Sequence, residues 1–245
     1  MTIHRIPIEK IMDPLLMQGC RVFSVTGSGG KTTLIRKAAL HYAKTLHVGV
    51  AASTKMCLPD SQWQYKGRIP PVVLPDYPDD AGEAVPPVCF YAEHILPEGK
   101  IWDIGAEMMS RALVRSGILL VEADGSNRKP LKGWRTDEPV IVPETDVTIG
   151  ILPLHCLGQR IDESMVHRPE TFTAITGLKI GDKMNMDAYV RLITHPNGLF
   201  GHGRGKRVLV LNRVNNDELR MAAGSIAEQS KYCVDQWIAG CLEDE

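Results

Sequence analysis

Residues 21–33 read Arg21-Val22-Phe23-Ser24-Val25-Thr26-Gly27-Ser28-Gly29-Gly30-Lys31-Thr32-Thr33, an apolar run of β-forming residues that breaks into glycines and ends in Lys-Thr-Thr. The pattern predicts a buried strand, a tight loop whose backbone N–H groups cradle phosphate oxygens, and a helix that starts at once. Glycine admits the positive-φ turns and the close backbone approach that an anion cradle needs. Lys31 is placed to bring a point charge to the β and γ phosphates. Thr32 follows directly, where a hydroxyl ligates the Mg²⁺ that bridges them. The expected cradle is therefore Gly27, Ser28, Gly29, Gly30, Lys31, Thr32 and Thr33.

The usual G-x-x-x-x-G-K-[ST] loop has an earlier glycine, and Val25 stands in its place. The shorter Gly27–Lys31 loop resembles the G-T-x-G-K-T-T loop of the Mur ligase type of ATP-binding domain.

Working outward, Leu34, Ile35, Ala38, Ala39, Tyr42 and Leu46 recur at three and four and predict a helix over 32–45. Upstream, Ile8, Ile11, Met12, Leu15 and Leu16 predict a short amphipathic helix within 5–18. Residues 47–53 form the next expected strand, which runs into Ser53-Thr54-Lys55 at the strand end where α/β folds place ligands. The stretch 58–100 is dense in proline and carries Asp76, Asp79, Asp80 and Glu83. Proline at that density removes backbone donors and rules out long helices. It is expected to be an insertion with short strands, 72–74 and 88–92 among them, lying over the surface of the domain. A helix follows over 104–116.

The next strand, Ile118-Leu119-Leu120-Val121-Glu122-Ala123-Asp124, is apolar until two carboxylates close it. Two apart, they face one side of a strand. A strand-end carboxylate beside a phosphate loop holds the Mg²⁺ water shell or orients an attacking water. Thr32, Asp124 and Glu122 are thus the candidate metal ligands, and Lys31, Glu122 and Asp124 candidate catalytic groups; a turn aspartate before Gly125 is the blander alternative. Gly125–Lys132 then gathers Arg128, Lys129 and Lys132, cations suited to a second anionic substrate. Beyond a strand at 146–152, His167-Arg168-Pro169-Glu170 opens a helix to about 176, and His167 and Arg168 join the catalytic candidates. A helix over 186–194 and a glycine-rich basic loop precede a strand, 208–215, ending in Asn212-Arg213-Val214-Asn215. Its position resembles the base-reading N-K-x-D motif, which makes Asn212 a nucleotide-binding candidate. Asn215 replaces the aspartate, and an amide does not accept at both atoms, so the base stays open between ATP and GTP. A last helix, 217–231, and strand, 234–239, follow.

The 245 residues are 44% hydrophobic, enough for a substantial core, and the formal net charge of −1 gives no case for nucleic-acid binding. No run reaches the roughly 18 apolar residues of a membrane helix, so a cytoplasmic protein without membrane contact is expected. Six cysteines are scattered without C-x-x-C spacing and read as reduced thiols.

Together, Val25–Thr33, Ser53-Thr54-Lys55, Glu122-Ala123-Asp124-Gly125-Ser126 with Pro130-Leu131-Lys132, Glu138-Pro139-Val140, His167-Arg168-Pro169-Glu170 and Leu211-Asn212-Arg213 resemble the YqeC family, selenium-dependent molybdenum hydroxylase accessory proteins. Arg213 departs from the family's commoner lysine, and Ala51-Ala52 stand where more threonine is expected. The resemblance implies a nucleotide-binding protein tied to maturation of such an enzyme, with a client molybdenum hydroxylase or a cofactor-biosynthesis protein as partner. Cys57 and Cys156, in loop-like stretches, are the thiols to test for selenium or metal handling.

The expected architecture is a three-layer α/β, P-loop NTPase-like domain over 1–245 with a mainly parallel sheet and the 58–100 insertion. The expected ligands are ATP, or GTP, with Mg²⁺. Lys129 and Lys132 with His167 and Arg168 would form a second anionic site. Three functions remain open: an NTP-hydrolysing accessory protein, a Mur-like kinase or ligase activating a small anionic acceptor, and a nucleotide-gated chaperone that does not hydrolyse.

Overall fold

The computed structural model describes residues 5–76 and 86–242. Asp79, Asp80 and Glu83 of the expected acidic patch lie outside them. In chain order the elements are α1 (Ile8–Leu16), β1 (Val22–Gly27), α2 (Lys31–Tyr42), β2 (Val48–Ala52), β3 (Lys55–Cys57), β4 (Val72–Val73), β5 (Val88–Tyr91), β6 (His94–Leu96), β7 (Lys100–Trp102), α3 (Ala106–Arg115), β8 (Ile118–Glu122), β9 (Leu131–Lys132), β10 (Val147–Pro153), β11 (Val166–His167), α4 (Pro169–Thr176), α5 (Met186–Thr194), β12 (Lys206–Asn212), α6 (Asp217–Gln229) and β13 (Gln236–Gly240).

Eight strands form one sheet in the order β13-β12-β10-β1-β8-β2-β5-β4, and every pairing in it is parallel. A parallel sheet is covered on both faces, so its strands are apolar throughout, as the unbroken burial of β1, β2, β8 and β10 shows. Phe23, Val25, Leu120, Ile149 and Val210 point to one face, where α1 and α2 cover them. On the other face α3 packs with Leu119 and Val121, and α4, α5 and α6 pack with Leu152, Leu209 and Leu211. The result is the expected three-layer α/β arrangement. Among the described residues no helix is long and apolar enough to cross a membrane.

The proline-rich segment departs from expectation. Instead of lying over the surface, β4 and β5 extend the main sheet beyond β2, with Val48 beside Val88 and Val72 beside Phe90. Only β3, β7 and β6 form a separate antiparallel sheet, which stands at the carboxyl end of β2. α1 keeps Pro14 inside its last turn, and Asp13 accepts a hydrogen bond from the Tyr42 hydroxyl of α2 at 2.5 Å.

The register of the central strands is set at their amino ends by Asp146. Its carboxylate accepts from the backbone N–H groups of Arg21 and Val22 at 2.7 and 2.9 Å, and its carbonyl from Lys206 N at 2.9 Å. One residue therefore aligns β1, β10 and β12. Replacing it by alanine leaves the Val22 donor without a partner, and an Asp146→Ala protein is expected to lose about 1–3 kcal/mol. Urea denaturation should show a lower midpoint with an unchanged slope.

Candidate functional site

All eight parallel strands direct their carboxyl ends to one edge, where the glycine loop, the two carboxylates at the end of β8 and the β12 asparagine meet. The loop is shaped by close approach. A Cβ on Gly27, at φ +107°, would lie 2.1 Å from the Ile151 carbonyl, one on Gly29 2.4 Å from the Pro153 ring, and one on Gly30 2.6 Å from the Asn212 amide. The glycines are thus required by the neighbouring strand ends as much as by any ligand. The Gly27 N–H is directed at Asp124, and Ser28 donates its N–H to Ile151 O at 3.0 Å and its hydroxyl to Pro130 O at 2.7 Å. Gly27 and Ser28 therefore anchor the loop. The cavity is lined from Gly29 onward, by Gly30, Lys31, Thr32 and Thr33, where the first turn of α2 leaves N–H groups without helical partners.

Asp124 is fully buried and gathers the loop around itself. Its carboxylate accepts from the Thr26 hydroxyl at 3.0 Å, Gly27 N at 3.1 Å, Trp134 Nε1 at 2.7 Å and Lys132 Nζ at 2.9 Å, with Lys31 Nζ 3.3 Å away. Burial alone would raise its pKa; the Lys31 and Lys132 ammoniums outweigh that and hold it below the ordinary value. Both oxygens are engaged, so Asp124 serves as a structural anion that fixes the loop.

Glu122 behaves in the opposite way. Burial lifts its pKa above the ordinary value, against the pull of Lys31. Its Oε2 accepts from the Thr32 hydroxyl at 2.9 Å. Two hard oxygen ligands thus stand together beside the cradle, and among the described residues no group of three or more His, Cys, Asp or Glu could hold a metal unaided. That donor set fits Mg²⁺, which takes one or two protein oxygens and completes its shell with phosphate and water. Lys31 folds back to donate to the Gly27 carbonyl at 2.6 Å, at the mouth of the cradle.

The basic residues divide. Lys132 is fully buried and donates to Asp124, to Gly125 O at 2.8 Å and to Glu138 at 3.3 Å. An ammonium has three protons, so none is left for a ligand, and its expected anion-binding role gives way to a structural one. Lys129 is held by the Glu163 and Val166 carbonyls at 2.6 and 3.0 Å, with its third proton uncommitted. Arg168, at φ +60°, makes a two-pronged pair with Glu138, one arm at 2.7 Å, and lines the cavity beside His167. Burial, then the charges of Arg168 and Lys132, bring His167 down to about 4, so it is neutral at pH 7. Asn212 donates its amide to Gly29 O at 2.7 Å and accepts from Leu242 N at 3.0 Å, fastening the chain's last described residues beneath the loop.

The resulting cavity, about 1080 Å³, also takes in Thr54 and, from the small sheet, Lys55 and Cys57. Cys57 is exposed; Cys156 is buried, and burial pushes its thiol up to about 12, which removes it from thiolate chemistry at neutral pH. Three residues of the site went unread as contacts: Thr26, Trp134 and Glu138. Glu138 had a signal, as the acidic residue of the Glu138-Pro139-Val140 element, but nothing local to name its partners.

The YqeC protein family description matches residues 23–170. The chain is also similar to the Escherichia coli (strain K12) protein described as "Uncharacterized protein YqeC", at 30% identity over 214 residues, 84% of this chain and 81% of that one. No solved structure matches it significantly.

Removing the Asp124 charge takes the carboxylate from the buried Lys31 ammonium and leaves Lys132 with Glu138 alone. Asp124→Asn is expected to cost about 3–5 kcal/mol, and adding Lys132→Met to restore part of it, in denaturant titrations of the single and double variants. His167 titrates at about 4 folded against an ordinary 6.5. The folded chain then binds fewer protons than the unfolded one between those values, so the contribution is complete above 6.5 and is lost as pH falls toward 4. His167→Gln should flatten that part of the stability profile in thermal melts taken across the window.

Proposed function

We propose that this chain, which belongs to the YqeC family, binds a nucleoside triphosphate, ATP, with Mg²⁺ and hydrolyses it as an accessory protein in maturation of a selenium-dependent molybdenum hydroxylase. The observation that carries the nucleotide reading is a single cavity joining the open amides of Gly29–Thr32, the Lys31 ammonium and the Thr32–Glu122 pair. The family resemblance supports the accessory role, and a client enzyme or a cofactor-biosynthesis protein is the partner it calls for.

In this reading the cradle amides and Lys31 hold the β and γ phosphates, and Thr32 and Glu122 hold the Mg²⁺. The bound metal neutralises charge developing on the phosphates. Phosphoryl transfer of this kind asks little covalent chemistry of the protein and depends on positioning and electrostatics. Water adds to the γ-phosphorus, the bond to the β-phosphate oxygen breaks, and ADP and phosphate leave. Lys31, already at the mouth, meets the negative charge first. Arg168, held by Glu138 on the same cavity wall, offers a guanidinium to it. A second reading, transfer to a small anionic acceptor in the manner of a Mur-like kinase or ligase, is favoured by the basic side of the cavity. Acceptor-dependent ADP release above the rate in water would distinguish it.

Calorimetry checks the assignment. Lys31→Ala should weaken Mg·ATP binding about tenfold or more, and Thr32→Ala, which removes a single hydroxyl, should abolish the Mg²⁺ dependence. Because a protonated Glu122 does not hold Mg²⁺, affinity should fall with pH from above the usual carboxylate range, and Glu122→Gln should lack that portion of the profile. Affinity unchanged in both Lys31→Ala and Thr32→Ala rejects the site.

A further inference from the structure

Beyond the nucleotide, and resting on the reading that one binds, we infer that the cavity takes a second small molecule carrying a phosphate or diphosphate group, received by Arg128, Lys129 and Lys100. Size is the first ground. The cavity, about 1080 Å³, exceeds the roughly 300–1,000 Å³ that holds one ligand of nucleotide size.

Charge is the second. Seven of its lining side chains are lysine or arginine and two are carboxylates, in a chain whose formal net charge is −1. Lys31 is spent on the nucleotide side, and Lys55 is paired with Glu98 at 3.3 Å. The side chains of Arg128 and Lys100 make no hydrogen bond or ion pair among the described residues, although Glu98 feels the Lys100 charge, and Lys129, which Asp162 feels, keeps one proton. Mg·ATP brings a net charge of about −2, which leaves several cations of the wall without an anion. One carboxylate would answer one of them; a phosphate dianion or a diphosphate answers the group, and Arg128 adds a planar fork suited to it.

Placement is the third. Arg128 and Asn127 sit at φ +59° and +50° in a turn closed by Lys129 N donating to Ser126 O at 2.9 Å. Non-glycine residues hold that conformation only where the surroundings fix it. The turn leaves β8, which lies between β1 and β2, whereas Asn212 and Arg213 end β12 on the far side of the phosphate loop. Lys100 stands on β7, in the small sheet beyond β2. The second site is therefore on the opposite side of the γ-phosphate position from Asn212, where an acceptor or a co-bound ligand would meet the transferred group.

The test titrates inorganic pyrophosphate, with Mg²⁺ in excess, into the full chain saturated with Mg·AMP-PNP, and repeats it with succinate. One pyrophosphate site is expected, weakened about tenfold by Arg128→Ala and clearly by Lys100→Ala, with Mg·AMP-PNP affinity within about twofold of wild type. No pyrophosphate binding to the loaded protein overturns the inference, as does binding indifferent to both variants. Equal loss of nucleotide affinity in the variants also overturns it, because the cations would then serve the nucleotide. Succinate binding as tightly as pyrophosphate overturns the phosphate assignment. Absence of AMP-PNP binding beside an Arg128-dependent pyrophosphate site would instead reject the nucleotide reading and keep this one.

Discussion

The site depends on keeping one carboxylate ionised where water does not reach it. Asp124 is wholly buried, and an unpaired charge there would be costly enough to be neutralised by protonation. Two ammoniums, an indole N–H, a hydroxyl and a backbone N–H prevent that, and they arrive from four pieces of chain: Lys31 from α2, Thr26 and Gly27 from β1, Lys132 from β9, Trp134 from the segment after it. The shape of the glycine loop follows in part from satisfying that charge. The pattern then continues outward with alternating sign, Lys31, Asp124, Lys132, Glu138, Arg168, so that the two ends of a buried row of charges are the two cations facing the cavity.

The same field explains why two carboxylates two residues apart differ. Asp124 touches both ammoniums and is held ionised; Glu122 touches a hydroxyl, feels Lys31 less than its burial, and is raised. Pairs of acidic groups driven apart in this way mark sites where one group is structural and the other available. β8 ends at Glu122 and Asp124 lies just past it, and the surroundings decided which of the two is fully engaged.

What could be read from the sequence was what local pattern encodes. Val22–Gly27 is apolar and β-branched before a glycine break, and the structure has a strand and a loop there; 118–122 and 206–212 follow the same logic. Periodicity located α1 and α2 to within a few residues. Long-range pairing was not legible: Val88–Tyr91 looks like any short strand, and its place beside β2 depends on residues some forty positions away. The fate of the cations was hidden for the same reason. Lys129 and Lys132 are three apart in one basic loop, yet one is at the cavity wall and the other is saturated by two carboxylates and a carbonyl, because Lys132 lies on a strand that pairs with β11 and turns its side chain inward.

A nearly neutral chain with a strongly basic cavity needs a cause beyond composition, and topology supplies it. In an all-parallel sheet every strand ends at the same edge, and the helices that follow begin there, so unpaired N–H groups and the positive ends of helix dipoles converge on one place. Lysines and arginines added to that edge reinforce a field the backbone already creates, while acids at the same edge survive only when neutralised, as Asp124 and Glu138 are. Among the described acids of the site Glu122 is the exception, near the Lys31 charge but with a single hydroxyl donating to its carboxylate.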